Sequence, residues 1–418
     1  MPGLAPYLGA MTERTDIVIA GGGLNGTALA LALAGAGMRV ALVDPTPRPA
    51  REDRDFDGRG YALALTSQRL LAAIGVWGAV AADAQPMLQI KVSDGRPGQG
   101  PAPFFLEFDH AEIEEGPMGY MIEDRFLRRA LLGACAAQDR IEMIDGDSVA
   151  GEAPGPAGIE VTLASGRVLP ATVLVGCDGR RSEIARRAGI KRTEWSYGQT
   201  ALVCAVAHDL PHHGVAHQFF MPHGPLAILP LPGNQSSIVW AETDAEAQRI
   251  AALDDAAFLA ELRPRFGDFL GPISLAGNRF SYPLGLSVAH AFMAERRALV
   301  GDAAHGLHPI AGQGLNAGLK DVAALAEVLA LARRRGEDIG RRDVLERYQR
   351  WRRFDVAALA LATEGFNRMF SNDNPGLRIA RDLGIGLVNS LPGLRRRFIR
   401  EAAGLTGELP RLLRGQPI

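Results

Sequence analysis

Apolar residues fall along this chain in three regimes. Short unbroken runs occur at 17–20 (IVIA), 40–43 (VALV), 172–175 (TVLV) and in RALVGD at 297–302. A run of that length without alternation suits a strand buried on both faces, and so a parallel sheet. Between the first two runs lies LNGTALALALA (24–34), whose Ala and Leu content predicts a buried helix, stopped by Gly35 and Gly37. Strand, glycine turn, helix and strand over 16–44 make a βαβ unit. Two more helices are predicted. One covers 65–80 (LTSQRLLAAIGVWGAV) and is capped by Thr66 or Ser67; the other covers 123–138, with apolar positions at 126, 127, 131 and 132. Residues 94–103 (DGRPGQGPAP) read as a Pro/Gly-rich loop, and 158–179 alternate as strands about an ASGR hairpin turn.

From 193 to 292 the pattern changes. ALVCAVAH, AHQFFMPHGPLAILPLPGNQSSIVWAE and SLAGNRFSYPL are strand-like segments broken by Pro and Gly. They predict a sheet-rich second domain inserted into the first. Beyond 302 the chain reads as mostly helical, starting with a helix from Leu315 to about Arg333 that is apolar over much of its surface. The expected organisation is a disordered extension at 1–14, a first domain at 15–192 with some second-domain strands near 85–120, the second domain at 193–292, a return to the first at 293–335, and a helical region at 336–418. No internal repeat is visible.

Composition narrows the setting. With 418 residues, two closely joined domains are expected. The chain is 47% hydrophobic and 22% charged, enough apolar surface for packed cores. A net charge of -2 argues against nucleic acid as a partner. Cys135, Cys177 and Cys204 are widely spaced and form no CxxC pair, so neither a disulfide framework nor a structural zinc site is indicated, and a reducing cytoplasm fits. No window reaches the roughly 18 apolar residues of a membrane span, and the opening MPGLAPYLGAMTER lacks the basic start of a signal peptide.

Three motifs carry candidate chemistry. The first is Gly21-x-Gly23-x-x-Gly26, which follows a strand and opens a helix. Its glycines allow a tight turn, close approach of a pyrophosphate and close helix packing, and the helix start offers free N–H groups. Asp44, ending the next strand, can hold adenosine ribose hydroxyls. The motif leaves NAD and FAD equally open. The second is VLVGCDGRRSEIARRAG (173–189), where Asp178 beside Gly179 can serve a dinucleotide site or form a plain Asx turn. The third is GDAAHGLHPIAGQGLN (301–316). Asp302 closes a strand at the carboxyl edge of a parallel sheet, where α/β folds bind ligands, and a carboxylate there can bond a polyol. Pro309 stiffens the loop, and the following helix start favours negative charge. His305 and His308 have no carboxylate in ligand register, so no metal is expected. His305 and His217 are the only weak candidates for a catalytic base, and the catalytic residues are otherwise unknown.

Together and in this order, the motifs resemble those of the FAD-dependent aromatic hydroxylases, the single-component flavoprotein monooxygenases, and more narrowly the ubiquinone-biosynthesis hydroxylase family. RGYALALTSQRLLAAIGVW (59–77), GYMIEDRFLRRALL (119–132), GPLAILPLPGNQSSIVWA (224–241) and ALVGDAAHGLHPIAGQGLNAGLKDVAALAEVL (298–329) carry the narrower likeness. It implies an α/β fold: an FAD-binding Rossmann-like βαβ domain, an inserted sheet-rich substrate domain and a helical C-terminal region. The implied cofactor is FAD, with NAD(P)H as co-substrate. Implied FAD-binding residues are Gly21, Gly23, Leu24, Asn25, Gly26, Asp44, Arg59, Asp124, Arg125, Asp178, Gly179, Gly301, Asp302, Pro309, Gly312, Gly314, Leu315 and Asn316. Asp44 stands where the family more often has Glu, and Asp124 where it usually has Asn; Gly306 replaces a residue that is often threonine.

The implied reaction uses O2 and a flavin C4a-hydroperoxide to hydroxylate a lipophilic phenol, a quinone precursor. FFMPHGPLAILPL (219–231) is a candidate pocket wall or ordinary sheet core. The lipid substrate implies peripheral association with the inner face of the membrane or with a quinone-synthesis complex. SLPGLRRRFIREAAGL (390–405) has the basic, partly amphipathic character of an interfacial segment and equally that of a solvated helix. A same-fold alternative is a hydroxylase of a small soluble aromatic compound, and an alternative of a different class is a flavin-binding subunit of a quinone-synthesis assembly without turnover. A halogenase is disfavoured by the lack of a WxWxIP motif.

Overall fold

The computed structural model describes residues 15–52, 58–96, 98, 100–306, 313–370 and 391–418. The extension at 1–14, Pro309 and Gly312 lie outside the described residues, as does His308.

A six-stranded sheet forms the frame of the nucleotide end, in the order Met293–Ala294, Arg297–Leu299, Val173–Gly176, Ile17–Ala20, Val40–Asp44, Ile141–Asp145. All neighbours are parallel except the first pair. Its apolar runs are buried on both faces: Ile17, Val18 and Ile19 are fully enclosed, as are Val173, Leu174 and Val175. The helix Leu24–Gly35 lies on it and is buried from Leu24 to Ala34, apart from Asn25. Helices Asp124–Ala136 and Gln313–Arg334 pack beside it.

A second, nine-stranded sheet runs His305–Gly306, Phe280–Ala289, Arg192–His208, Gln235–Thr243, Gly224–Leu231, Val215–Met221, Gln89–Arg96, Gly100–Asp109, with Ile273–Leu275 added alongside Arg192–His208. Within the expected Pro/Gly loop, Gly95 and Arg96 pair with Pro101 and Gly100, so the two strands extend into the segment. Alternation puts Leu202, Cys204, Leu226, Ile228, Ile238 and Trp240 on one face, under two helices, Asp244–Ala251 and Asp255–Phe266. These two helices lie within the segment expected to be sheet-rich and were not predicted individually. Thr243 and Asp254 cap them through their side chains.

Between the two large sheets sits a small one, Gln85–Met87, Gly119–Glu123 and Gly60–Ala64. The opposite face of the large sheet, with Ala205, Ala216 and Leu231, meets Met87 and Met121 there. The helix expected at 65–80 ends earlier, at Ala73, because Gly75 turns left-handed (φ 79°), and a short 3-10 turn, Trp77–Ala79, follows. The C-terminal region is helical, with Arg342–Phe370, Pro392–Ala402 and a 3-10 turn at Arg411–Arg414. No described helix is long and apolar enough to cross a membrane.

Candidate flavin site

At the glycine turn each glycine has its own reason. Gly21 has φ 106°, and a Cβ there would lie 2.3 Å from the Cys177 carbonyl oxygen. A Cβ on Gly26 would lie 1.9 Å from the Gly21 carbonyl oxygen, so only glycine lets the helix approach the strand. Gly23 is different: nothing stands within 4 Å of its missing Cβ. It is the N-cap of the helix Leu24–Gly35 and supplies no side chain to the first N–H groups. An open, uncapped helix start of this kind is an anion cradle.

Carboxylates surround that cradle. Asp44, at its strand end, accepts from Gly22 N (2.7 Å) through Oδ2 and from Thr46 N (2.8 Å) through Oδ1. Each oxygen keeps a lone pair for a hydroxyl. Arg51, which sequence reasoning missed, donates to the Gly22 carbonyl (3.1 Å) and pairs with Asp145. Arg51 lies on the short helix Arg48–Arg51 that follows Asp44, and no local motif announces its contact with Gly22. Asp178 accepts from Ile184 N (3.1 Å) through Oδ2, while its buried Oδ1 has no partner among the described residues. Gly179 beside it has φ 81° and open space over it.

The Asp302 turn joins the cradle through Asn25. A Cβ on Gly301 (φ 63°) would fall 2.3 Å from Asn25 Nδ2, and one on Gly318 would fall 2.4 Å from the same atom. Asn25 thus fills a notch between the turn and the helix Gln313–Arg334. Asp302 is exposed, and its carboxylate takes no hydrogen bond from a described residue. Arg192 clamps the backbone behind it, donating to the carbonyls of Asp302 (3.1 Å) and Ala303 and to Ser287 Oγ (2.9 Å). Burial pulls the Arg192 guanidinium below its ordinary pKa, against the opposing pull of Glu194 and Asp302.

Asp124 is not an open ligand. Arg128 grips its carboxylate twice (2.7 and 2.8 Å), Tyr61 donates to it (2.8 Å), and Arg59 stands 3.5 Å away. Burial, and then the Asp124 charge, push the Tyr61 hydroxyl far above its usual pKa, so it remains a donor. Acid in place of the family's usual amide is thus balanced by two arginines. Arg125 turns to Glu123 (2.6 Å) and lies over Phe126. Asn316 is a tie. Its Oδ1 accepts from Ala64 N (2.9 Å) and Ser67 Oγ (2.7 Å), and its Nδ2 donates to the Ala62 carbonyl (2.8 Å). It takes over the capping expected of Thr66 or Ser67 at the helix Leu65–Ala73. Gly314 has open space around its missing Cβ, and Leu315 is partly buried against the main core.

The histidines part ways. His305 does have a carboxylate at hand, contrary to its sequence neighbourhood: Nε2 lies 2.6 Å from Asp321 Oδ2, both groups buried. Asp321 sits one helix away in space and 16 residues away in sequence, beyond any short-register search. His217 is not at the site. It lies in register with Ile228, Ile238 and Cys204, on the helix-covered face, with its ring 4.5 Å from that of Phe269. In the 219–231 segment, Phe219, Met221, Leu226 and Ile228 pack in the helix-covered core, while Leu229 and Leu231 pack against the small sheet.

The open helix start, the free Asp302 carboxylate and the half-satisfied Asp178 fit the diphosphate, ribityl and hydroxyl groups of a flavin dinucleotide.

Comparison with known proteins agrees with that donor set. The family model described as FAD binding domain matches residues 14–363. The chain is 43% identical over 416 residues to the ubiquinone hydroxylase UbiL of Rhodospirillum rubrum, covering 99% of this chain and 96% of that protein. It is 34% identical to the 3-demethoxyubiquinol 3-hydroxylase of Escherichia coli, over 94% of this chain and 99% of that one. Among solved structures, p-nitrophenol 4-monooxygenase PnpA from Pseudomonas putida superposes with a TM-score of 0.77 at 19% identity, covering 94% of this chain and 99% of that chain, which speaks to the fold.

Proposed function

The chain belongs to the FAD binding domain family, and from that premise we propose that it is a flavoprotein monooxygenase that hydroxylates the aromatic ring of a polyprenylated phenol in ubiquinone biosynthesis. The observation that carries the substrate class is the full-length identity to ubiquinone hydroxylases. When bound, FAD supplies the redox chemistry, accepting electrons from NAD(P)H and activating O2.

The protein's own part is positioning and exclusion of water. The N–H groups after Gly23 hold the pyrophosphate, and Asp44 accepts from the adenosine ribose. Asp302 accepts from the ribityl hydroxyls; Asp178 and Gly179 serve the same dinucleotide. The N-terminal turn of the helix Gln313–Arg334 would favour negative charge on the ring edge. The apolar contact of Leu229 and Leu231 with Met87, Met121 and Ala62 keeps one side of the site dry. No described side chain is needed as a base, and neither His305 nor His217 is given that role.

Peripheral association with a membrane surface or a quinone-synthesis complex is part of the same proposal. Its support is the exposed pair Phe354 (79%) and Leu361 (75%), two turns apart on one helix. The test is to purify the protein, record its visible spectrum, and follow NAD(P)H oxidation with labelled O2 and a polyprenyl phenol. The expected result is a yellow protein whose NAD(P)H oxidation is accelerated by the phenol, with one labelled oxygen in the product. A protein that cannot bind added FAD would overturn the whole reading; a flavoprotein indifferent to every phenol would overturn the hydroxylase part.

A further inference from the structure

The backbone from Gly301 to Gly306 is tied down almost atom by atom. Gly301 N donates to Asp321 Oδ2 (2.9 Å), and Ala304 N closes the turn on the Gly301 carbonyl (2.8 Å). The carbonyls of Asp302 and Ala303 accept from Arg192. The Ala304 carbonyl accepts from Ala289 N (2.8 Å), and His305 and Gly306 pair with Val288 and Ser287. Within this stretch the exposed Asp302 carboxylate takes no hydrogen bond from a described residue and is open to a ligand, whereas His305 Nδ1, also without a partner among the described residues, is buried.

Asp321 holds both ends of it. The same Oδ2 that takes the Gly301 N–H lies 2.6 Å from His305 Nε2, so one oxygen brackets Asp302 from the residue before it to the third after it. The other oxygen accepts from Arg352 Nε (2.7 Å). Arg352 continues to Asp355 (2.7 Å) on the same helix, Arg342–Phe370. That helix also grips the neighbouring backbone: Tyr348 OH donates to the Leu299 carbonyl (2.7 Å), and Gln349 Oε1 accepts from Phe292 N (2.9 Å). Asp321, His305 and Arg352 are 0%, 1% and 3% exposed. Burial alone would raise the Asp321 carboxyl, but His305 and Arg352 outweigh it and hold it below the ordinary carboxylate range. An ionised group enclosed this deeply is kept only where its partners are fixed.

We infer that Asp321 is a positioning residue for the flavin, acting through the Gly301–His305 turn to set Asp302 against the ribityl chain, with His305 as the second anchor of the turn and Arg352 linking it to the C-terminal helix. This rests on the assignment of Asp302 to FAD made above. A purely structural acid would stabilise the fold and leave the bound flavin alone. A positioning acid changes the affinity for FAD and the environment of the flavin that does bind.

The experiment uses the full-length protein, stripped of flavin and titrated with FAD, in four forms: unchanged, Asp321→Asn, His305→Gln and Asp302→Ala. Read for each are the FAD dissociation constant, the visible spectrum and midpoint potential at saturating FAD, and the thermal stability of the apoprotein. Asp321→Asn is expected to raise the dissociation constant about tenfold or more, as loss of a charge-assisted buried hydrogen bond does. It is also expected to shift the flavin spectrum and potential at saturation. His305→Gln keeps the Asp321–Arg352 pair and so keeps the test valid should Asp321→Asn not fold; a several-fold weaker affinity with a shifted spectrum is expected, and affinity and spectrum both unchanged would overturn the inference. Lower apoprotein stability with unchanged flavin affinity, spectrum and potential in Asp321→Asn would likewise reduce Asp321 to a structural acid. Asp302→Ala separates the two levels. If it weakens FAD while the other variants do not, only the positioning role falls; if it too leaves FAD binding unchanged, the assignment of Asp302 falls with it.

Discussion

Asp302 and Asp321 belong to one turn-and-helix unit and face opposite conditions: one carboxylate is open, the other enclosed by three donors. Replacing the open one should therefore cost little fold and much cofactor. Asp302→Ala is expected to lower flavin occupancy of the purified protein while leaving its thermal unfolding within about 1 kcal/mol of the parent, the usual range for an exposed substitution. Equal occupancy, read from the flavin-to-protein absorbance ratio, would refute the role. His217 gives a residue-level prediction of another kind. Burial, with a smaller push from Lys91, lowers its pKa from 6.5 to about 4. Between those values the unfolded chain takes up a proton that the folded chain refuses. Its contribution is thus complete above the higher value and is lost as pH falls through the window. His217→Leu should remove that share, on the order of 1–2 kcal/mol at pH 4.5 after allowance for partial exposure. Urea midpoints at pH 7.5 and 4.5 check it; an identical loss of stability in both proteins would sink the idea. Both residues were visible in the sequence as chemistry-bearing types. What separates them is place: Asp302 sits in the exposed turn Gly301–Ala303, whereas His217 lies on the helix-covered face of its strand, which only the register of the paired strands reveals.

At the scale of elements, the helix Gln313–Arg334 meets the helices Leu24–Gly35 and Leu65–Ala73 through polar side chains within one turn, at Gly318 and Asn316. Gly318 would ordinarily be improved by alanine, by about 1 kcal/mol in a helix interior. Here a Cβ would meet Asn25 Nδ2 at 2.4 Å and Oδ1 at 2.6 Å. Gly318→Ala is therefore expected to destabilise, and Asn25→Ala in the same chain to recover most of the loss. Chemical denaturation of both decides it, and a stabilised single variant would show that the notch is not filled as described. Asn316→Ala removes three hydrogen bonds at the start of the helix Leu65–Ala73 and should cost about 2–4 kcal/mol. These contacts explain what was legible and what was not. The strand at 17–20, the helix after it and the glycine turn follow from periodicity and steric need within about 30 residues of chain. The cap of the Leu65 helix comes from a residue 249 positions away from Ser67, and the carboxylate on His305 from across a turn. Local patterns hold no trace of either. The two helices at 244–266 were hidden for a different reason: they lie between strand-like segments, and their polar caps, Thr243 and Asp254, also read as turn residues.

On the scale of the whole molecule, the C-terminal helix Pro392–Ala402 works as a clamp. Its basic, partly amphipathic composition suggested an interfacial segment and equally a solvated helix. In the fold its apolar side is spent on protein: Ile399 and Ala403 are fully enclosed with Leu65, Phe108, Ile113 and Met118. Two of its arginines face acids on the strand-end segment they cover, Arg395 with Glu112 (2.9 Å) and Arg400 with Glu115 (3.1 Å), and Arg69 shares Glu115 (2.8 Å). The chain after it continues to the helices Gln313–Arg334 and Arg342–Phe370, where Arg411 N donates to Glu327 (2.6 Å) and Trp351 Nε1 to the Glu408 carbonyl (3.0 Å). The tail thus joins the large sheet's edge to the helices that carry the site. Magnitudes decide which contacts hold it. Exposed ion pairs are worth about 0–1 kcal/mol, whereas emptying a closed apolar site costs about 2–5 kcal/mol. Glu112→Gln should therefore leave stability almost unchanged and add only slight salt dependence. Ile399→Ala should cost several times more and, by loosening the clamp, make the bond after Leu391 more accessible to protease. Limited proteolysis beside thermal unfolding separates the two cases. If Glu112→Gln proves the more damaging, charge rather than burial holds the tail, and the interfacial reading of its arginines would regain its ground.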